Sequence, residues 1–150
     1  MNEQRARAAF EAAMASHRPE FEQFFLSRLL DLRFSYGAES CVIEFEVHDF
    51  MFNPQGSLHG GVIATVMDIS MGHLLKHVDG PGTTLEMKTQ YVKPVRQGVL
   101  RCCGEFIKRG KSISYLRSTL TDEEGELVAF ATSTWKRLKQ DQALASSGRS

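Results

Sequence analysis

Residues 53–68 read Asn53-Pro54-Gln55-Gly56-Ser57-Leu58-His59-Gly60-Gly61-Val62-Ile63-Ala64-Thr65-Val66-Met67-Asp68, and the apolar pattern runs on to about His77. Turn residues come first, and Ser57 stands where a helix N-cap is expected. The apolar side chains from Val62 to Leu75 then occupy most faces of a helix, and a helix apolar nearly all round is normally buried. About twenty residues would span on the order of 30 Å, enough to cross the middle of a small domain. Asp68 lies in the middle of this helix. A carboxylate there has a desolvation cost unless it is paired, hydrogen-bonded or open to a cleft. That conflict is the main functional clue in the chain.

Outward from the helix the periodicity changes. Upstream, residues 29–34 read as a short strand. Between 39 and 48, Cys41, Ile43, Phe45 and Val47 alternate with Glu44, Glu46 and His48, a strand with one wet face. Downstream, Asp79-Gly80-Pro81-Gly82 ends the helix. Strands are predicted over 83–93, 99–108, 112–121 and 126–138, with Gly98, Gly110 and Gly125 at the turns. Residues 3–17 and 20–28, separated by Pro19, form an N-terminal helical extension whose apolar face is expected to pack on the main body. The predicted organisation is therefore an extension over 1–28, a domain over 29–138 and a flexible tail over 139–150. Antiparallel strands with one buried helix call for an α+β fold, a curved sheet wrapped around that helix. Such a sheet must manage its edges, and pairing of two copies is one way to do so.

Composition excludes several functions. The 150 residues suit one domain, and 18 basic side chains balance 18 acidic ones, so no large field points to nucleic acid or an anionic membrane. No apolar run reaches transmembrane length, and the start lacks the plan of a secretory signal. Cys41, Cys102 and Cys103 include no CxxC pair and suit a reducing compartment. A cytoplasmic protein is expected. His73 and His77 lack the glutamate of an HExxH motif, so no metal is expected; GxSxG, Walker A and Rossmann signatures are absent too.

The order of elements and the stretch from Asn53 to Asp68 resemble the hotdog-fold acyl-CoA thioesterases of the PaaI and thioesterase superfamily member 2 type. The resemblance covers about residues 30–138; its most specific feature is His-Gly-Gly followed by an aspartate seven residues after the second glycine. It implies a cofactor-free hydrolase of acyl-S-CoA, assembled as a homodimer at least and as a homotetramer in the usual case. It assigns Asp68 as general base or nucleophile, and Asn53 and His59 as residues that hold the attacking water and the carbonyl. A strand hydroxyl is assigned to Thr84, with Thr83 one residue away. The basic turn Lys108-Arg109-Gly110-Lys111-Ser112 would contact the nucleotide end of coenzyme A, with Arg96, Lys136 and Arg137 as weaker candidates.

The residues themselves support part of this. Gly60 and Gly61 sit in the first helical turn, where backbone N–H groups have no partner inside the helix. Either they let a thioester oxygen approach those amides at the positive end of the helix, or they permit close packing at a tight turn. Asp68 follows His59 by nine residues, on nearly the opposite face and roughly 13 Å along the axis. The two would meet only across a two-fold axis. A structural alternative for Asp68 is an acid held by a hydroxyl such as Thr65. Phe50, Met51, Phe52 and Tyr91 either line an acyl tunnel or fill the core. Two rivals remain, an acyl-thioester dehydratase, which needs a His beside its acid, and a non-catalytic acyl-CoA-binding domain.

Overall fold

The computed structural model describes residues 1–139; the tail expected from residue 139 onward lies outside them but for its first residue. Helices α1 (Glu3–Ser16) and α2 (Phe25–Leu29) precede strands β1 (Arg33–Tyr36) and β2 (Ser40–Glu46). A 3-10 turn, Asp49–Met51, leads to helix α3 (Gly60–Asp79). Strands β3 (Gly82–Tyr91), β4 (Val99–Lys108), β5 (Ile113–Thr121) and β6 (Leu127–Arg137) follow it among the described residues.

The six strands form one antiparallel sheet in the order β1-β2-β4-β5-β6-β3, with α3 packed against β2, β3, β4, β5 and β6. This is the hotdog fold expected from the sequence. Cys41, Ile43 and Phe45 face the helix and are fully buried, whereas Glu44 and Glu46 are exposed, as the alternation requires. Val66, Met67, Met71, Leu74 and Leu75 of α3 meet Leu100, Leu116, Leu120 and Val128 in one core. Each such side chain contributes about 1.5–3 kcal/mol through apolar burial. Helix and sheet approach closely at Gly104 on β4, where a Cβ would lie 2.6 Å from the Ser70 carbonyl oxygen of α3.

Several boundaries differ from expectation for identifiable reasons. Ser57 is not the N-cap of α3. Asn53 Oδ1 accepts from the amides of Gln55 (3.0 Å) and Ser57 (3.2 Å), which holds residues 53–57 as a separate turn. The helix starts three residues after Ser57, capped by His59, whose Nδ1 accepts from Gly61 N–H at 2.8 Å. The second helix is shorter than expected, because Glu22 adopts a left-handed conformation (φ 65°) and turns the chain before Phe25. Asp31 (φ 48°) makes a second turn and delays β1 to Arg33. Gly98 and Gly125 do use positive φ, 96° and 80°. Gly110 does not; there a Cβ would fall 2.0 Å from the Ile113 carbonyl oxygen, so close backbone approach is the reason for glycine.

Candidate active site

Asp68 is half-buried on the flank of α3. Thr84 Oγ1 donates to its Oδ1 at 2.7 Å, whereas Thr83 is exposed. Thr65 does not hold Asp68; its hydroxyl donates back to the Gly61 carbonyl at 2.8 Å. Burial raises the Asp68 carboxyl above its ordinary range, and the hydrogen bond from Thr84 opposes that rise. After Thr84 the β3–β6 register shifts at Leu85, and this bulge lets Thr84 and Met87 both turn toward the helix. Phe24, Leu26, Ala64, Thr65, Ile69 and Met87 surround Asp68 in an open cleft of about 520 Å³. Phe24 and Leu26 come from the N-terminal extension, which no sequence pattern places at this site. Of the residues read as either tunnel or core, Met51 belongs to the core, Phe50 and Phe52 pack against it, and Tyr91 lines a separate cleft.

A second cleft of about 280 Å³ opens at the start of α3, lined by Asn53, Ser57, Gly60, Tyr91 and Lys93 among others. The Gly60 N–H has no hydrogen-bond partner among the described residues. The Gly61 N–H is already taken by His59. Both glycines are also packed, since a Cβ on Gly60 would lie 3.2 Å from the Tyr91 ring and one on Gly61 3.0 Å from His59 Nδ1. The Tyr91 hydroxyl donates to the Gly60 carbonyl at 3.0 Å. Gly60 therefore combines a packing role with a free amide, and His59 spends one ring nitrogen on its own helix. Asn53 and Gly60 line the one cleft, Asp68 and Thr84 serve the other, and a single chain does not bring the two pairs together.

In the turn over 108–112, Arg109 is engaged. Its guanidinium binds Asp79 (2.6 Å) at the end of α3, approaches Glu39 (3.6 Å) and lies over the Phe106 ring. The Gly110 amide donates to Ser114 Oγ at 3.1 Å. Lys108 and Lys111 are exposed and form no ion pair among the described residues. His73 and His77 have structural uses, His73 among phenylalanine rings and His77 stacked on Tyr36. Among the described residues no group of three or more His, Cys, Asp or Glu is placed to hold a metal ion, and no helix is long and apolar enough to cross a membrane.

A curved sheet around one helix, with a carboxylate at the middle of that helix and a glycine pair at its start, defines a class, and comparison with known families gives the same one. The family model of the thioesterase superfamily matches residues 55–129, half of the chain, and the chain belongs to that superfamily. Mouse acyl-coenzyme A thioesterase 13 is 28% identical to it over 99 residues, 63% of this chain and 71% of that protein. A putative esterase of Saccharolobus solfataricus is 26% identical over 95 residues, 62% of this chain and 63% of the relative. The crystal structure of a Bacillus halodurans protein with CoA has the same fold, with a TM-score of 0.82 at 22% identity, over 92% of this chain and 94% of that one.

Proposed function

We propose that this chain is an acyl-CoA thioesterase whose active site is shared between two copies. The observation that carries the reading is Asp68, a carboxylate kept in an apolar cleft and held by Thr84. In the reaction, water attacks the thioester carbonyl carbon while Asp68 takes a proton from it. The carbonyl oxygen becomes an oxyanion, the C–S bond then breaks, and the CoA thiolate leaves and is protonated. In the nucleophilic version, Asp68 attacks first and water opens the resulting anhydride. The Gly60 amide, at the positive end of α3, suits the developing oxyanion. Asn53 lies beside it and would orient the carbonyl or the water, with His59 at the same helix start. Lys108 and Lys111 offer free cations to the CoA phosphates, whereas Arg109, Gly110 and Ser112 would act by shaping that turn.

Sharing between copies follows from separation. Eight residues along one helix put Gly60 and Asp68 about 12 Å apart. Strand β3, which carries Thr84, is among the described residues an edge strand paired only with β6, so a second copy can approach along it. A homodimer is the minimum assembly, and a homotetramer would add a further interface. The dehydratase alternative is disfavoured because the His59 imidazole accepts from the Gly61 amide and reaches no acid among the described residues.

The deciding experiment is thiol release from a panel of acyl-CoAs by the wild type and by Asp68→Ala. Release by the first and loss in the second is expected. Wild-type turnover by Asp68→Ala would overturn the mechanism; saturable binding without any release would favour a binding domain. An Asp68→Ala chain mixed with a Gly60→Val chain tests the sharing. Mixed dimers would retain one intact site, so about a quarter of full activity returns with random pairing; no recovery argues for sites within single chains.

A further inference from the structure

We propose that the N-terminal extension forms the acyl-selecting wall of the Asp68 cleft, with Phe24 and Leu26 against the acyl group, and that the cleft takes an uncharged, apolar acyl chain. The inference rests on the thioesterase reading and goes beyond it. The extension lies outside residues 55–129, over which the family model matches.

The wall is built, not draped. Glu22, in its left-handed conformation, is held at three points. Its N–H donates to His73 Nε2 at 3.2 Å, its carbonyl accepts from Ser27 Oγ at 2.9 Å, and its carboxylate accepts from the Tyr36 hydroxyl. Rings of Phe21 and Phe34 pack on the His73 imidazole at 4.9 and 4.8 Å. At the far end, the Asn2 amide donates to Asp49 Oδ2 at 2.7 Å. A non-glycine residue at positive φ persists only where its surroundings over-determine it. Here the turn at Glu22 delivers Phe24 and Leu26 to the cleft, where Leu26 remains 40% exposed beside Asp68.

The lining identifies the occupant. Apart from Asp68 and the Thr65 hydroxyl, the cleft offers hydrocarbon and aromatic surface and no cation. A pantetheine arm, with two amides, would leave polar groups without partners there, whereas the Asn53 and Gly60 cleft supplies them. An acyl group ending in a carboxylate would face Asp68 with no counter-charge. An apolar chain next to the reacting carbonyl meets neither objection.

The test is kcat/KM for thiol release over acetyl-, butyryl-, hexanoyl-, octanoyl- and succinyl-CoA, with wild type, Leu26→Trp and Leu26→Ala. Leu26 is open to solvent, and circular dichroism melts check that both variants fold. In Leu26→Trp the octanoyl-to-acetyl ratio is expected to fall about tenfold, and in Leu26→Ala the preference moves to longer chains. Succinyl-CoA should be at least about tenfold poorer than butyryl-CoA with the wild type. Hydrolysis with an unchanged chain-length profile in both variants, or succinyl-CoA turned over as well as butyryl-CoA, overturns the wall while leaving the thioesterase reading intact. No release from any substrate by the wild type overturns both.

Discussion

The hydroxyl of Thr84 donates a 2.7 Å hydrogen bond to Asp68 Oδ1, from an edge strand to the middle of the central helix. Burial and this hydrogen bond push the Asp68 carboxyl in opposite directions, with burial the larger effect. In the proposed reaction the ionised form is the one that works, so rate should fall as pH falls through this raised value. Removing the donor in Thr84→Val leaves burial unopposed. The acid limb of the kcat/KM profile is expected to move to higher pH, while Thr84→Ser keeps it near the wild-type position. Coincident limbs for Val and wild type would remove Thr84 from the proton balance.

Asp68→Asn separates function from stability. A carboxylate whose pKa is raised on folding is most favourable to the fold when protonated, and that contribution is lost as pH rises through the raised value. At neutral pH the charged group therefore opposes folding, and a neutral amide of the same size does not. Turnover should fall by about 10²-fold or more, while the melting temperature at pH 7 stays level or rises. A marked drop in melting temperature would instead make Asp68 a structural acid.

His73 gives the fold a calculable acid sensitivity. It is 5% exposed, its Nε2 accepts from the Glu22 amide, and burial pulls it from 6.5 down to about 4 against the opposing pull of Glu22. The unfolded chain then takes up a proton first as pH falls below about 6.5, so stability declines from there toward pH 4. The loss is at most about 3 kcal/mol, a figure that already includes the push from Lys76 nearby. Urea titrations of His73→Leu should show a flatter stability profile across that window. An equally steep profile would place the sensitivity in other groups.

Gly104→Ala probes the contact between helix and sheet. The added methyl would lie 2.6 Å from the Ser70 carbonyl oxygen, backbone that cannot rotate away. A loss of about 1–3 kcal/mol by denaturant titration is expected, as for other overpacked cores. Near wild-type stability would mean that α3 can lift off β4 without cost.

Much of this was legible in the sequence. A helix apolar on most faces, one period-two strand with its charges on alternate positions, and glycines spaced between later apolar runs were enough for the sheet wrapped around α3. Asp68 stood out because it conflicts with its neighbours, whereas Thr84 came from the family resemblance, with Thr83 one residue away. What stayed hidden depends on contacts between residues far apart in the chain. The cap of α3 passed from Ser57 to His59 because Asn53 folds the preceding residues into their own turn. Glu22 carries no signal of a left-handed turn, as only contacts with Ser27, Tyr36 and His73 impose it. The place of Phe24 and Leu26 at the Asp68 cleft depends on that turn. Arg109 looked free in the sequence, whereas its partners Asp79 and Glu39 come from other elements.

Thr84 sits immediately before the bulge at Leu85, on the strand whose outer edge has no neighbour among the described residues. Any pairing along that edge that shifts Thr84 also changes how tightly Asp68 holds its proton. Linkage makes the relation reciprocal: the protonation state of one carboxylate then alters the free energy of joining two copies. Acidity and self-association would be two readings of a single hydrogen bond, and the protein's own concentration would act as an effector of its chemistry.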